Sequence, residues 1–177
     1  WERGSALSLK NAARARFIPA PGRVTTAKIR ALAGRLTPED LDQLEDDFSG
    51  NCGQLERARI LLALGRWAEA QRTALSIPVL SPLPYRMGEP CCLAMAEAAT
   101  TGLTPQTLDR ARAEADEFPY LVPIRTVAEA VEAARRGGPG GKAQAEILLA
   151  PVRKMAAWDL DARLCIAAYE IVVSRPQ

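Results

Sequence analysis

The sequence predicts an all-α fold built from antiparallel helical hairpins. Of its 177 residues 48% are hydrophobic and only 5% aromatic, and alanine is abundant. Alanine favours closely packed helices, and the alternating Val, Ile, Thr and Tyr runs that indicate strands are nearly absent. Glycine turns recur at Gly34, Gly65, Gly102 and Gly137, with separations of 31, 37 and 35 residues. This recurrence predicts hairpins that are stacked as a repeat array or packed as an irregular α-bundle.

Two regions are expected along the chain. Residues 1–22 are predicted to hold a basic helix, from about Ser5 to Arg16, followed by the stiff Pro-rich connector Pro19-Ala20-Pro21-Gly22. Residues 23–177 are predicted to form the helical-hairpin domain. Because the chain begins with Trp1 and not with Met, we expect it to be part of a longer protein or a processed form.

The domain is expected to open with two helices separated by a short turn. The first runs from Thr25 or Thr26 to about Leu36. Thr37 can cap the second helix, Pro38 suits its first turn, and the acidic residues 39 and 40 favour its positive end. Leucines 41 and 44 line one face of this second helix, which is expected to close at residues 49–51.

The remaining helices follow from apolar spacing, Thr-Pro starts and glycine or proline stops. Three prolines in residues 78–84 predict an extended connector, and residues 137–141, with four glycines, predict a flexible one. Trp67 and Trp158 each stand beside a turn, where we expect the ring to pack across two helices. Nine or ten helices and no sheet are predicted, the later ones at about 54–64, 67–77, 89–100, 104–117, 122–136, 142–156 and 159–174.

Residues 54–82 resemble one tetratricopeptide repeat, a helix-turn-helix unit of about 34 residues. Ala58 and Ala70 stand at the small positions of its two helices, and Pro82 stands where the closing proline belongs. The family's Trp and Leu positions carry Gln54 and Arg57 instead. The later hairpins share the repeat length more than the signature. The resemblance implies a scaffold whose concave surface binds peptides or protein segments.

The composition argues against common catalytic chemistry. The chain has no histidine, which removes Ser-His and Cys-His pairs and mixed Cys/His zinc sites. Its four cysteines, Cys52, Cys91, Cys92 and Cys165, lack Cys-x-x-Cys spacing and are expected to be free, mostly buried thiols in a reducing cytosol. We therefore expect no enzyme activity, no cofactor, no metal site and a cytoplasmic location. No membrane span is expected either, because no apolar stretch reaches about 18 residues.

Charge is unevenly distributed although the net charge is only +2. Residues 1–36 carry eight basic residues and one acidic residue, whereas residues 37–56 carry seven acidic residues and no basic one. The acidic run is expected to be a solvated helix face that can attract the basic helix before it. An alternative function is nucleic-acid or anionic-surface binding through segment 10–35, with Arg14, Arg16, Arg23, Lys28, Arg30 and Arg35 as the contact residues.

The preferred hypothesis is a non-catalytic protein-protein interaction module, part of a larger regulatory or signalling protein. A peptide or partner helix would lie in a groove between successive hairpins. The first helices of the hairpins would supply the contact residues, which we expect to be Arg57, Arg59, Glu97 and Arg125.

Overall fold

The computed structural model describes residues 21–46, 51–76 and 88–174. These ranges contain nine α-helices, one short 3-10 helix at Pro119–Leu121 and no strand, so the expected all-α class is confirmed for them. The predicted N-terminal helix and the whole of the 78–84 connector lie outside these ranges. The helices are α1 (Pro21–Leu32), α2 (Pro38–Asp46), α3 (Asn51–Ala63), α4 (Trp67–Leu75), α5 (Glu89–Ala99), α6 (Pro105–Glu117), α7 (Val122–Arg136), α8 (Gly138–Met155) and α9 (Leu160–Ser174).

The first two helices differ from expectation in their bounds. Helix α1 begins at Pro21, so the second half of the predicted connector is its first turn, a position that suits proline. It ends at Leu32, before the turn at Gly34, whose φ of 65° favours glycine. The predicted start of α2 is confirmed by a capping box. The Asp40 N–H donates to Thr37 Oγ1 at 3.3 Å, and the Thr37 N–H donates to Asp40 Oδ2 at 3.0 Å.

Sequence signals located the ends of two later helices accurately. Helix α6 begins at Pro105 after Thr104, whose Oγ1 accepts a hydrogen bond from the Thr107 N–H at 3.2 Å. Helix α7 has the predicted bounds of residues 122–136. By contrast, Asn51, expected to close α2, is the first residue of α3.

The glycine-rich stretch at residues 137–141 was wrongly predicted to be a flexible connector. All but its first residue belong to the first turn of α8, which begins at Gly138. A Cβ at Gly141 would lie 2.1 Å from the Ala133 carbonyl oxygen, and one at Gly137 would lie 2.5 Å from Gly141 Cα. These glycines therefore allow α8 to begin in close contact with the end of α7.

The two tryptophans beside turns behave differently. Trp67, at the start of α4, is only 8% exposed and belongs to the core, as expected. Trp158, in the turn between α8 and α9, is 73% exposed, so the expectation that it packs across two helices is wrong. Asp159, where the last helix was expected to begin, caps α9, because its Oδ1 accepts a hydrogen bond from the Ala162 N–H at 2.7 Å.

Successive helices pack in pairs across the short turns: α1 with α2, α3 with α4, α5 with α6, and α7 with α8. The first helices of the last three pairs also pack on one another, α3 against α5 and α5 against α7. Helix α9 contacts α7 and α8, and it also returns to contact α3 and α1. Consequently α3, α5, α7 and α9 form a closed ring, and the buried side chains of these helices include Ile60, Met95 and Val127.

Candidate functional site

A cavity lies where the four helices of the ring meet. It has a volume of about 30 Å³, which exceeds the space that one water molecule needs. Tyr120, at the rim, is 56% exposed, so the cavity approaches the protein surface there. The described residues that line it are Arg59, Leu62, Met95, Tyr120, Pro123, Ile124, Val127, Asp161, Leu164, Cys165 and Ala168.

A network of charged side chains joins three helices beside this cavity. Lys28 of α1 is 7% exposed, and its Nζ lies 2.8 Å from Glu56 Oε2 and 2.6 Å from Asp161 Oδ1. Arg59, one turn after Glu56 on α3, donates from Nη1 to Glu56 Oε1 at 2.9 Å. A lysine is rarely buried unless carboxylates replace its water. The network therefore fixes α9 against α1 and α3.

Arg59 remains a cation inside this network. Burial acts to lower its pKa, but the neighbouring Glu56 carboxylate raises it, and the net pKa lies above the ordinary value. The guanidinium also lies against the start of α5, where a Cβ at Gly88 would be 2.9 Å from Arg59 Nη2. Gly88 has a φ of 97°, so both space and backbone conformation favour glycine there.

The thiols near the cavity are poor nucleophiles. Burial raises the pKa of Cys92 and of Cys165 to about 12, against the opposing effect of Arg59 in both cases. Burial also raises the pKa of Cys91, whose thiol donates to the Ala111 carbonyl at 3.5 Å. These groups are protonated at neutral pH. The three are free, as expected, with two buried and Cys165 half-buried; the Cys52 side chain lies outside the described part of the structure.

A half-buried carboxylate that sequence reasoning missed organises the start of α5. Glu114 Oε1 accepts a hydrogen bond from the Gly88 N–H at 2.5 Å, and Oε2 accepts one from the Cys91 N–H at 3.4 Å. Burial raises the pKa of Glu114, although the hydrogen bond from Gly88 opposes the increase. This side chain reaches from α6 to cap a different helix, and no local sequence pattern signals such a contact.

The four expected partner-binding residues lie on α3, α5 and α7. Each contacts different groups, so these contacts do not link the four residues into one site. Arg59 lines the cavity, whereas Arg57 Nη1 lies 3.8 Å from Asp42 Oδ1 of α2. Glu97 accepts hydrogen bonds from the hydroxyls of Thr104 and Thr107 at 3.3 and 3.0 Å. Arg125 Nη1 lies 3.2 Å from Glu129 Oε2, and its buried Nε has no hydrogen-bond partner among the described residues.

The basic residues of the alternative hypothesis are also dispersed. Arg14 and Arg16 lie outside the described residues, and Arg23 lies on α1. Lys28 is buried in the network, and Arg30 forms an ion pair with Asp40 of α2, as expected for attraction between the basic and acidic helices. Arg35 is exposed. Two of the six cations are therefore engaged by carboxylates of this chain.

None of the helices in the described ranges combines the length and apolar character needed to cross a bilayer. The described residues also include no group of three or more Cys, Asp or Glu side chains positioned to hold a metal ion. Comparison of the chain with protein-family models, with curated proteins and with solved structures gives no match.

Proposed function

We propose that this chain is a non-catalytic protein-protein interaction module whose helical pairs stack in the manner of tetratricopeptide repeats. A peptide or partner helix would bind in a groove between successive pairs and contact their first helices. One observation carries the proposal: the first helices α3 and α7 already hold another helix, α9, against them. First helices of this fold therefore pack well against a further helix, and a partner would have to use the faces that α9 leaves open.

The chemistry of the site supports binding more than catalysis. Asp161 is the one carboxylate among the described residues that line the cavity, and its Oδ1 is engaged by Lys28. The thiols near the cavity have raised pKa values, so they offer no ready nucleophile. Free thiols also fit a reducing, cytoplasmic location. The chain would there form part of a larger regulatory or signalling protein.

Two arginines are the best probes of the proposed groove. Arg125 lies on α7, the first helix of its pair, and its buried Nε has no hydrogen-bond partner among the described residues. Arg57 lies on α3, the first helix of its pair, and its Nη1 is 3.8 Å from Asp42 Oδ1. Lys142 is exposed on α8, a second helix, and serves as the matched control position.

The test is a selection of displayed helical peptides on the immobilised full chain, followed by affinity measurement of the best peptide. We expect Arg57→Ala and Arg125→Ala each to weaken binding about tenfold, as loss of one charged hydrogen bond predicts, and Lys142→Ala to leave it unchanged. If no peptide binds above the background of an unrelated helical bundle, the proposal fails. If all three variants bind the peptide with the same affinity, the peptide does not bind in the proposed groove.

The same preparation tests the nucleic-acid alternative. Binding of duplex or single-stranded nucleic acid at low salt, lost steeply as salt is added, would support segment 10–35 as the functional surface. With Lys28 and Arg30 already paired, we expect no such binding.

A further inference from the structure

Helix α8 has apolar residues on its exposed side as well as on its buried side. The helix packs on α7 and α9, and its buried residues are Gly141, Ala145, Leu149 and Val152. Four exposed apolar residues follow one another at helical spacing and therefore share the opposite side of the helix. They are Ala143, Ile147, Ala150 and Pro151, and the Ile147 side chain is 67% exposed.

Trp158 continues this exposed side beyond the end of α8 at Met155. The N–H groups of Trp158 and Asp159 donate to the Met155 carbonyl at 3.0 and 2.9 Å, so the chain follows a helical path for a further turn. Trp158 is 73% exposed and stands about three helical turns after Ile147. We call the four exposed residues and Trp158 the α8 stripe. Exposed apolar patches of this kind mark contacts between proteins.

The turn that carries Trp158 is fixed by Arg163. The Arg163 Nε donates to the Ala156 carbonyl at 2.6 Å, and its Nη2 donates to the Ala157 carbonyl at 2.7 Å. A side chain on a fixed backbone loses less conformational entropy when a partner covers it. The Trp158 backbone is therefore in place before any partner binds.

Charged side chains beside the stripe are arranged with the acid before Ala150 and the bases after it. Glu146 precedes Ala150 by one helical turn, and Arg153 and Lys154 follow it within one turn; all three are exposed. Helical spacing places Glu146 and Arg153 at the same edge of the stripe. Within one chain, Arg153 Nε lies 3.4 Å from Glu146 Oε2, and its Nη1 lies 3.2 Å from Glu170 Oε1.

This order of charges is complementary to itself when two helices run antiparallel. A twofold axis at Ala150 brings a residue that precedes it level with the residue that follows it by the same number of positions on the second copy. Glu146 of one copy then lies level with Lys154 of the other and beside its Arg153, and symmetry repeats the contact. A parallel pair would instead bring like charges together, which opposes association.

The apolar residues of the stripe also complement one another in this arrangement. Ala150 and Pro151 stand at the axis, where short side chains let two helices approach closely. Ile147 comes near Pro151 of the other copy, and the large ring of Trp158 comes level with the small Ala143 of the other copy. Mutual coverage of these residues would remove exposed apolar area from water.

We propose that two copies of this chain associate through the α8 stripe, with their α8 helices antiparallel about a twofold axis at Ala150. The proposal does not depend on peptide binding, because α8 is a second helix and the proposed groove uses first helices. One helix face is smaller than a standard interface, which buries about 1,200–2,000 Å² in total. We therefore expect weak, reversible association.

The first test measures the oligomeric state of the full chain. Sedimentation velocity between about 10 µM and 1 mM should show a reversible equilibrium of monomer and dimer. Ile147→Asp places a charge in the contact and should weaken the dimer at least tenfold. Leu75→Asp is the matched control, because Leu75 is 62% exposed on α4, away from the stripe, and should leave the equilibrium unchanged.

Either of two results would overturn the proposal. A chain that stays monomeric at about 1 mM would leave the stripe to a different protein or to another surface. A dimer that is equally stable in Ile147→Asp would form through another face. Peptide affinity should be the same for Ile147→Asp and the native chain, so the groove and the dimer contact can fail separately.

Charge reversal tests the antiparallel orientation. Glu146→Arg leaves only cations beside the stripe, and the double variant Arg153→Glu/Lys154→Glu leaves only acids. Each should dimerise at least tenfold more weakly than the native chain, whereas a mixture of the two should form a heterodimer. Circular dichroism checks that both variants are folded, as expected for exposed positions. A mixture of folded variants that associates no better than either one alone would exclude the antiparallel contact.

Discussion

Lys28 shows how a single side chain connects distant parts of the chain. Its ammonium group contacts Glu56 and Asp161, and the second of these is 133 residues away in the sequence. A buried ammonium loses its water, and two carboxylates at 2.8 and 2.6 Å replace it. Removal of the lysine would leave the negative charges of Glu56 and Asp161 without this neighbouring cation.

Substitution of Lys28 by methionine should therefore destabilise the protein. Methionine retains the length and the apolar stem but leaves Asp161 without its cation, so we expect a loss of about 2–3 kcal/mol in the free energy of unfolding. The exposed Arg35→Met should change it by less than about 0.5 kcal/mol. Urea denaturation of both variants measures the difference. Equal stabilities would mean that the buried ion pairs contribute nothing to the fold.

At the residue scale, the sequence predicts local contacts better than distant ones. Thr37 was identified as a cap and Thr104-Pro105 as a Thr-Pro helix start, because a cap and its partner are three residues apart. Lys28 was instead grouped with surface cations, because nothing within its own helix shows that carboxylates from two other helices reach it. The prediction that Trp158 packs across two helices was wrong for a similar reason, since the burial of a side chain in a turn depends on which helix covers it.

Helices α7 and α8 show how glycine can determine a helix contact. The second helix of this pair begins within van der Waals distance of the end of the first, and a Cβ at Gly141 would overlap the Ala133 carbonyl. Gly140 is adjacent in sequence, but a Cβ there would meet nothing within 4 Å. Adjacent glycines of one helical turn thus have different roles.

Alanine substitutions at these two positions should have opposite effects. Gly141→Ala should cost about 3 kcal/mol, because α8 must move away from α7 to accommodate the methyl group. Gly140→Ala should stabilise the protein by about 0.5–1 kcal/mol, since alanine has the higher helix propensity. Thermal unfolding of the pair measures both changes. A stabilised Gly141→Ala protein would show that the close contact is not required.

At the element scale, most helix positions could be predicted, and the errors have physical causes. Prolines and capping threonines mark boundaries through backbone chemistry, so α6 and α7 were predicted well. The glycine-rich start of α8 was misjudged because glycine can signal either flexibility or close packing. The choice between the two depends on the neighbouring helix, which a local pattern does not specify.

At the scale of the whole molecule, α9 makes the arrangement of helices a closed ring and not an open stack. In an open stack each pair contacts only its neighbours, and stability is close to a sum of local terms. Here α9 contacts α3 and α1 as well as the adjacent α7 and α8. The glycine spacing marks turns between neighbouring helices, but it holds no information on whether the last helix returns to the first. The cavity depends on that return and could not be predicted.

Loss of the α9 cap should therefore also destabilise α3. Asp159→Ala removes the hydrogen bond from the Ala162 N–H and should destabilise α9 by about 1 kcal/mol, which is about fivefold in amide exchange. We expect hydrogen-exchange mass spectrometry to show faster exchange in α3 as well as in α9. Thr104→Ala removes the equivalent cap from α6, which packs on α5 and α7, and should affect α3 less. Unchanged exchange of α3 in Asp159→Ala would contradict the closed ring.

The return of α9 to α1 and α3 also restricts how the number of helical pairs can change during evolution. An open array can gain or lose one pair by duplication or deletion, because each junction resembles the next. In the closed ring, an inserted pair would carry Asp161 away from Lys28, and a deleted pair would remove part of the cavity wall. Descendants of this chain should therefore keep the number of pairs constant and vary instead in the turns between them.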